Sequence, residues 1–156
     1  MNRTIKFRGK RDGTGEWVYG DLLTNNGNPI IVSQVNRDYI SRSYVNDESV
    51  GGGTHWAIET PAYLVDPSTV GQFTGRHDHS TAFAPTETKG VEVYSGDIVA
   101  AHFYYMNELI QCNMEVYFND DELQWKLRTD KHDVPMYECD YMHVKGNIHD
   151  NPELLK

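Results

Sequence analysis

The chain of 156 residues has no run approaching the 18 or so apolar residues that a membrane-spanning helix needs. Its N-terminus is basic but lacks the apolar stretch of a secretory signal. Cysteine is scarce: Cys112 and Cys139 form no C-x-x-C pair and are too few for a disulfide framework. Both fall in aromatic-rich segments, where a buried, reduced thiol is the ordinary state. These shortages point to the cytoplasm. Catalytic signatures are missing as well. There is no Gly-x-Ser-x-Gly, no His-Glu-x-x-His and no dinucleotide fingerprint, and Gly51-Gly52-Gly53 is not followed by the Gly-Lys-Ser/Thr of a phosphate loop. The sequence therefore assigns no cofactor and leans against an enzyme.

Positive charge is the next shortage. There are 14 Lys and Arg against 23 Asp and Glu, a net charge of −9. Residues 1–75 carry 7 basic and 8 acidic side chains, and residues 76–156 carry 7 and 15. A nucleic-acid binder needs a positive footprint to release phosphate counterions, and the second half has the opposite sign. One basic concentration remains, at Arg3, Lys6, Arg8, Lys10 and Arg11.

What the chain has in abundance is aromatic surface: 10 Tyr, 5 Phe and 3 Trp. Aromatics bury large areas and favour strands. The clearest pattern lies between 97 and 128. Ile110, Cys112, Met114, Val116 and Phe118 alternate with Gln111, Asn113, Glu115 and Tyr117, the period of two that marks a half-buried strand. Asp97–Tyr105 precedes it across a turn near Asn107-Glu108. Asn119–Glu122 then turns the chain into a strand carrying Leu123, Trp125 and Leu127 on one face. Thr4–Lys10 and Glu16–Leu23 read as a hairpin about Asp12–Gly15, and a turn over 24–29 leads to Ile30-Ile31-Val32. Tyr19-Gly20-Asp21 and Ser95-Gly96-Asp97 read as repeated glycine–aspartate corners. Only Asn151–Leu155 looks like a helical turn, with Asn151 as cap and Pro152 at its first position. The expected fold is mainly β: a compact antiparallel β-barrel-like fold of meanders and hairpins with few or no long helices. It forms one domain over 1–156, with division into two β subdomains near 60–66 as the alternative.

Three constellations invite a chemical reading. In His77-Asp78-His79, alternate residues of an extended chain face one way, so the two imidazoles are candidate metal ligands, with Asp97, His102 or His149 as a third. The same triplet fits a solvated loop. Asp120-Asp121-Glu122 with Lys126 and Asp97 resembles the acids and lysine of metal-assisted phosphoryl chemistry, and equally an ordinary acidic hairpin turn. Lys6, Arg8 and Lys10, beside Trp17 and Tyr19, are candidate phosphate or partner contacts, and equally the outer face of a strand. Ser41–Thr54 is polar and reads as a long mobile loop or an insertion.

Five ordered segments resemble the YopX-like family. They are Ile5–Lys10, Gly15–Leu22, Val65–Gly75, Tyr94–Val99 and Val144–Leu155. The resemblance implies a mainly β fold, an origin in bacteriophages, prophages or other mobile elements, and so the cytoplasm of a bacterial host. It carries over no catalytic residues. Arg76–Gly90 is longer than the family's usual short turn, and Ser41–Thr54 also looks particular to this chain. Three functions stay open: a non-catalytic interaction or assembly module contacting a protein partner or copies of itself; a nucleic-acid-associated protein using the N-terminal basic strand; and a metal-dependent hydrolase.

Overall fold

The computed structural model describes residues 4–33, 42–45, 55–58, 61–80 and 90–156. The chain is mainly β. Among the described residues there is no α-helix, and three short 3₁₀ turns occupy Pro67–Thr69, Met136–Glu138 and Pro152–Leu155. Among the same residues no helix is long and apolar enough to cross a membrane.

The chain divides into two compact units, Lys6–Val70 and Gly71–Lys156 together with Met1–Ile5. In the first, β1 (Phe7–Lys10), β2 (Trp17–Asn25), β3 (Asn28–Ser33) and β6 (Ala62–Leu64) pair antiparallel in the order β6-β3-β2-β1. The β2–β3 turn is tighter than expected. Strand pairing continues to Asn25 opposite Asn28, leaving Asn26-Gly27 alone at φ 50° and 81°, the two-residue turn that Asn-Gly favours. Gly20 lies inside β2 and makes no corner. A Cβ there would come 1.8 Å from the Val32 carbonyl oxygen, so the glycine lets β3 approach. Ile31 and Val65 are the buried apolar residues at the centre of this unit. Arg42–Val45 (β4) pairs with His55–Ile58 (β5) as a separate ribbon, so part of the expected mobile loop is strand; 46–54, including the three glycines, lie outside the described residues.

The second unit is built on the predicted meander. Here β9 (Asp97–Tyr105), β10 (Glu108–Asn119), β11 (Gln124–Arg128) and β12 (Asp133–Pro135) pair in sequence, and β13 (Tyr141–Asn147) adds to the far side of β9. β7 (Gly71–His77) pairs with β8 (Glu92–Tyr94). Alternation fills the core: Val99, Ala101 and Phe103 face Met114, Cys112 and Ile110 across the β9–β10 ladder, and Val116, Leu127, Val134, Met136 and Met142 complete the cluster. Each fully buried side chain of this size contributes about 1.5–3 kcal/mol. Gly96, at φ 79°, makes the corner before β9, and Asp97 Oδ2 accepts the Tyr94 N–H at 2.7 Å. Here the glycine–aspartate reading holds. Leu123 departs from its expected place: it sits in the β10–β11 turn at φ 52°, exposed, because the acids before it take the chain around one residue later. Asn151 precedes the last 3₁₀ turn but makes no side-chain cap bond. The sheet runs from β12 to β13 without closing, so the barrel comparison is loose.

Candidate functional site

Among the described residues of the second unit, exposed apolar side chains gather at the tip of the β9–β10 hairpin. Tyr105 pairs with Glu108, leaving Met106-Asn107 as a two-residue turn at φ 50° and 67°. Such turns want Asn or Gly at both positions, because an L side chain in the left-handed region crowds its own backbone. Methionine is a poor choice by that rule. Yet Met106 is 81% exposed, and around it Tyr104 is 65%, Leu109 48% and Tyr105 46% exposed. Tyr104 and Leu109 are direct cross-strand partners and so lie on one face. Only Tyr105 is anchored, edge-on to His132 at 5.3 Å. These apolar side chains stay in water at the end of a two-stranded ribbon, around a turn residue whose positive φ disfavours an L side chain. Sequence reading missed this tip. Its signal was present: two tyrosines and a methionine where a tight turn should hold asparagine and glycine.

The His77-Asp78-His79 triplet has a different position from the one expected. His77 ends β7 and meets the Phe73 ring edge-on at 5.5 Å. Asp78 and His79 run along the open edge of β13. His79 N–H donates to Met142 O at 2.8 Å, and Met142 N–H donates to His79 Nδ1 at 3.0 Å. Val144 N–H, beside a register shift in β13, donates to Asp78 Oδ2 at 3.0 Å. Asp78 Oδ1 accepts from Val91 N–H, Ser80 N–H and the Ser80 hydroxyl. Gly90 is required here, since a Cβ would lie 2.0 Å from Asp78 O. Burial would raise the Asp78 pKa, but these hydrogen bonds outweigh it and hold the carboxyl below its usual range. An edge strand exposes unpaired backbone groups that invite another strand. Here a carboxylate and an imidazole satisfy them.

The neighbours confirm how the triplet is used. Tyr141 stacks on His79 at 5.4 Å and packs against His102 at 4.8 Å, and His143 Nδ1 lies 3.5 Å from Asp78 Oδ2. The structure thus brings His79 to Tyr141 and Met142, while His77 packs on Phe73. Among the described residues no group of three or more His, Cys, Asp or Glu is placed to hold a metal ion. Residues 81–89 of the Arg76–Gly90 segment lie outside the described residues.

In the first unit the basic strand faces aromatic rings. Lys6 lies 5.7 Å from the Tyr19 ring centre, Arg8 4.7 Å and Lys10 5.5 Å from Trp17, and Arg11 4.9 Å from Tyr63. The register places Arg8 opposite Tyr19 and Lys10 opposite Trp17, so cations and rings share one face. Each contact contributes about 0.5–2 kcal/mol. Arg8 is buried. The cations thus lie against these rings from one side, and Tyr19 stays exposed.

In the acidic turn Glu122 is paired, while Asp120 and Asp121 are exposed. Lys126 Nζ sits 3.0 Å from Glu122 Oε1 and 3.2 Å from Asp133 Oδ2, and Asp133 also accepts the Tyr117 hydroxyl. Arg128 binds Glu115 through two nitrogens and covers the Tyr117 ring at 4.4 Å. The hydrogen bond to Lys126 lowers the Glu122 pKa, and that to Glu122 raises the Lys126 pKa, as expected for a paired cation and anion. Asp97, the upstream acid, is buried at its own corner.

A family model described as YopX protein matches residues 6–156. Neither the curated proteins nor the solved structures contain a match to the chain.

Proposed function

The chain belongs to the YopX protein family, and from that premise we propose that it is a non-catalytic interaction module of a phage, prophage or other mobile element, acting in the cytoplasm of a bacterial host. The observation that carries this reading is the β9–β10 tip, where Tyr104, Met106 and Leu109 stand in solvent on a two-stranded ribbon. Tyrosine and methionine are enriched at protein interfaces, tyrosine because it combines apolar area with few rotors. The surroundings select the partner. Residues 76–156 carry 15 acidic and 7 basic side chains, and Glu108 sits at the tip itself. The favoured partner is a protein with an apolar recess rimmed by Lys or Arg.

Two observations weigh against the other readings. Arg8 of β1 and the flanking Lys6 and Arg11 already lie over Trp17, Tyr19 and Tyr63, which opposes base stacking. Lys126 is held between Glu122 and Asp133, which opposes a role beside an attacking water.

The test is affinity capture from an infected or lysogenic host with the native chain and with Tyr104→Asp/Met106→Asp, alongside sedimentation of both. Specific capture by the native chain, lost in the double variant, is the expected result. Capture that survives the double substitution, or a strict monomer that captures nothing, sinks the proposal. Concentration-dependent dimerisation abolished by the substitutions would make the partner a second copy.

A further inference from the structure

A second feature, independent of the hairpin reading, lies where the C-terminal turn crosses the sheet of the second unit. Pro152–Leu155 lies against β10, and a cleft of about 350 Å³ opens between it and the Thr129–His132 turn. That volume falls at the lower end of the range for small-molecule sites. Both walls are pinned. Asn113 Nδ2 donates to Leu154 O at 2.9 Å, and Asn151 N–H donates to Asn147 O at 2.9 Å. On the opposite wall Thr129 Oγ1 accepts the N–H groups of Lys131 and His132, and Thr129 N–H donates to His132 O. The cleft is therefore formed before any ligand arrives.

Its lining is divided. Ile110, Cys112, Leu154 and Leu155 are apolar, with the Cys112 thiol kept neutral because burial raises its pKa. Lys131, His132 and Lys156 supply donors, against the single carboxylate of Asp130. His132 is held by the Phe103 and Tyr105 rings, and its Nδ1 is buried without a hydrogen-bond partner. Nε2 of the same ring is not among the buried unpartnered atoms and is the nitrogen the ring can offer to a ligand. In a chain of net charge −9, the side chains of this recess are an exception, two ammoniums and an imidazole against one carboxylate.

We infer that this cleft binds a small amphipathic organic carboxylate, its head on Lys131, His132 and Lys156 and its aliphatic tail against Ile110, Leu154 and Leu155. A bare inorganic anion would leave the apolar half unused, and a neutral apolar molecule would leave the donors unpaired.

The experiment is an amide chemical-shift titration of the full chain with octanoate, octanol and acetate as probes. Octanoate should give saturable shifts at Asn113, Thr129–His132 and Leu154–Lys156, with a dissociation constant on the order of 1 mM or below. Octanol and acetate should each bind at least about tenfold more weakly. Lys131→Gln/Lys156→Gln should weaken octanoate at least about tenfold while leaving the dispersion of the remaining spectrum intact. No saturable shift with octanoate, shifts mapping elsewhere, octanol matching octanoate, or full-strength binding by the folded double variant would each overturn the assignment.

Discussion

Replacing Met106 by asparagine should make the protein more stable, because the native residue is poorly suited to its own backbone. Met106 sits at φ 50°, and an L side chain in that region costs about 1–2 kcal/mol, much of which asparagine recovers through local hydrogen bonding. Little packing is lost in exchange, since the side chain is 81% exposed. The net gain is about 0.5–1 kcal/mol, which for a chain of this size raises the melting temperature by roughly 1–4 °C. Calorimetry of Met106→Asn beside the native chain reads this directly. Partner capture by the same variant should fall, because the methionine is proposed to be the contact. An unchanged or lower melting temperature would refute the reasoning, since it would mean that the turn is unstrained or that Met106 packs against the protein.

Two further predictions concern the scaffold. Asp78→Ala should cost about 3–5 kcal/mol in urea unfolding at neutral pH, because it leaves the N–H groups of Ser80, Val91 and Val144 without their acceptor. Since the folded carboxyl titrates below the usual range, its contribution is full above about pH 5 and fades as the pH falls through the folded value; Asp78→Asn should flatten that acid limb, and parallel pH profiles would contradict the assignment. Gly20→Ala should destabilise by about 2 kcal/mol or more, since its Cβ would meet backbone at 1.8 Å; a neutral effect on the urea midpoint would show that β3 can yield.

The parts of the fold that were legible in the sequence are those where one face of a strand is wet and the other dry. β10 announced itself because Ile110 to Val116 alternate against polar residues, and β9 because its bounds fall between a glycine corner and a turn. Leu123 misled for the converse reason: an apolar residue at the right parity is counted inward even when the preceding acids have used up the turn. Gly20 and Gly96 look alike in sequence, yet one serves a close strand approach and the other a left-handed corner, a difference set by the neighbouring strand. The triplet at 77–79 stands out in the sequence, but its position in the fold does not. Its partners, Met142 and Val144, are more than sixty residues away, and no local pattern carries that information. The hairpin tip was overlooked because tyrosines in a β chain are ordinarily counted toward the core.

The seal on β13 also sets a timetable. Asp78 and His79 are synthesised early in the second unit, and the strand whose edge they close follows 63 and 66 residues later. At about 5–20 residues per second, roughly 3–13 s pass on the ribosome before the two can meet. During that interval β9, β10 and β11, joined by short turns, are free to pair locally, which is the fast kind of contact. The long-range closure must come last, so the sheet's open side is exposed for as long as the C-terminal strand is incomplete. A chain stalled before Val144 would hold a formed meander with an unsatisfied flank, the state in which a nascent protein most needs a chaperone.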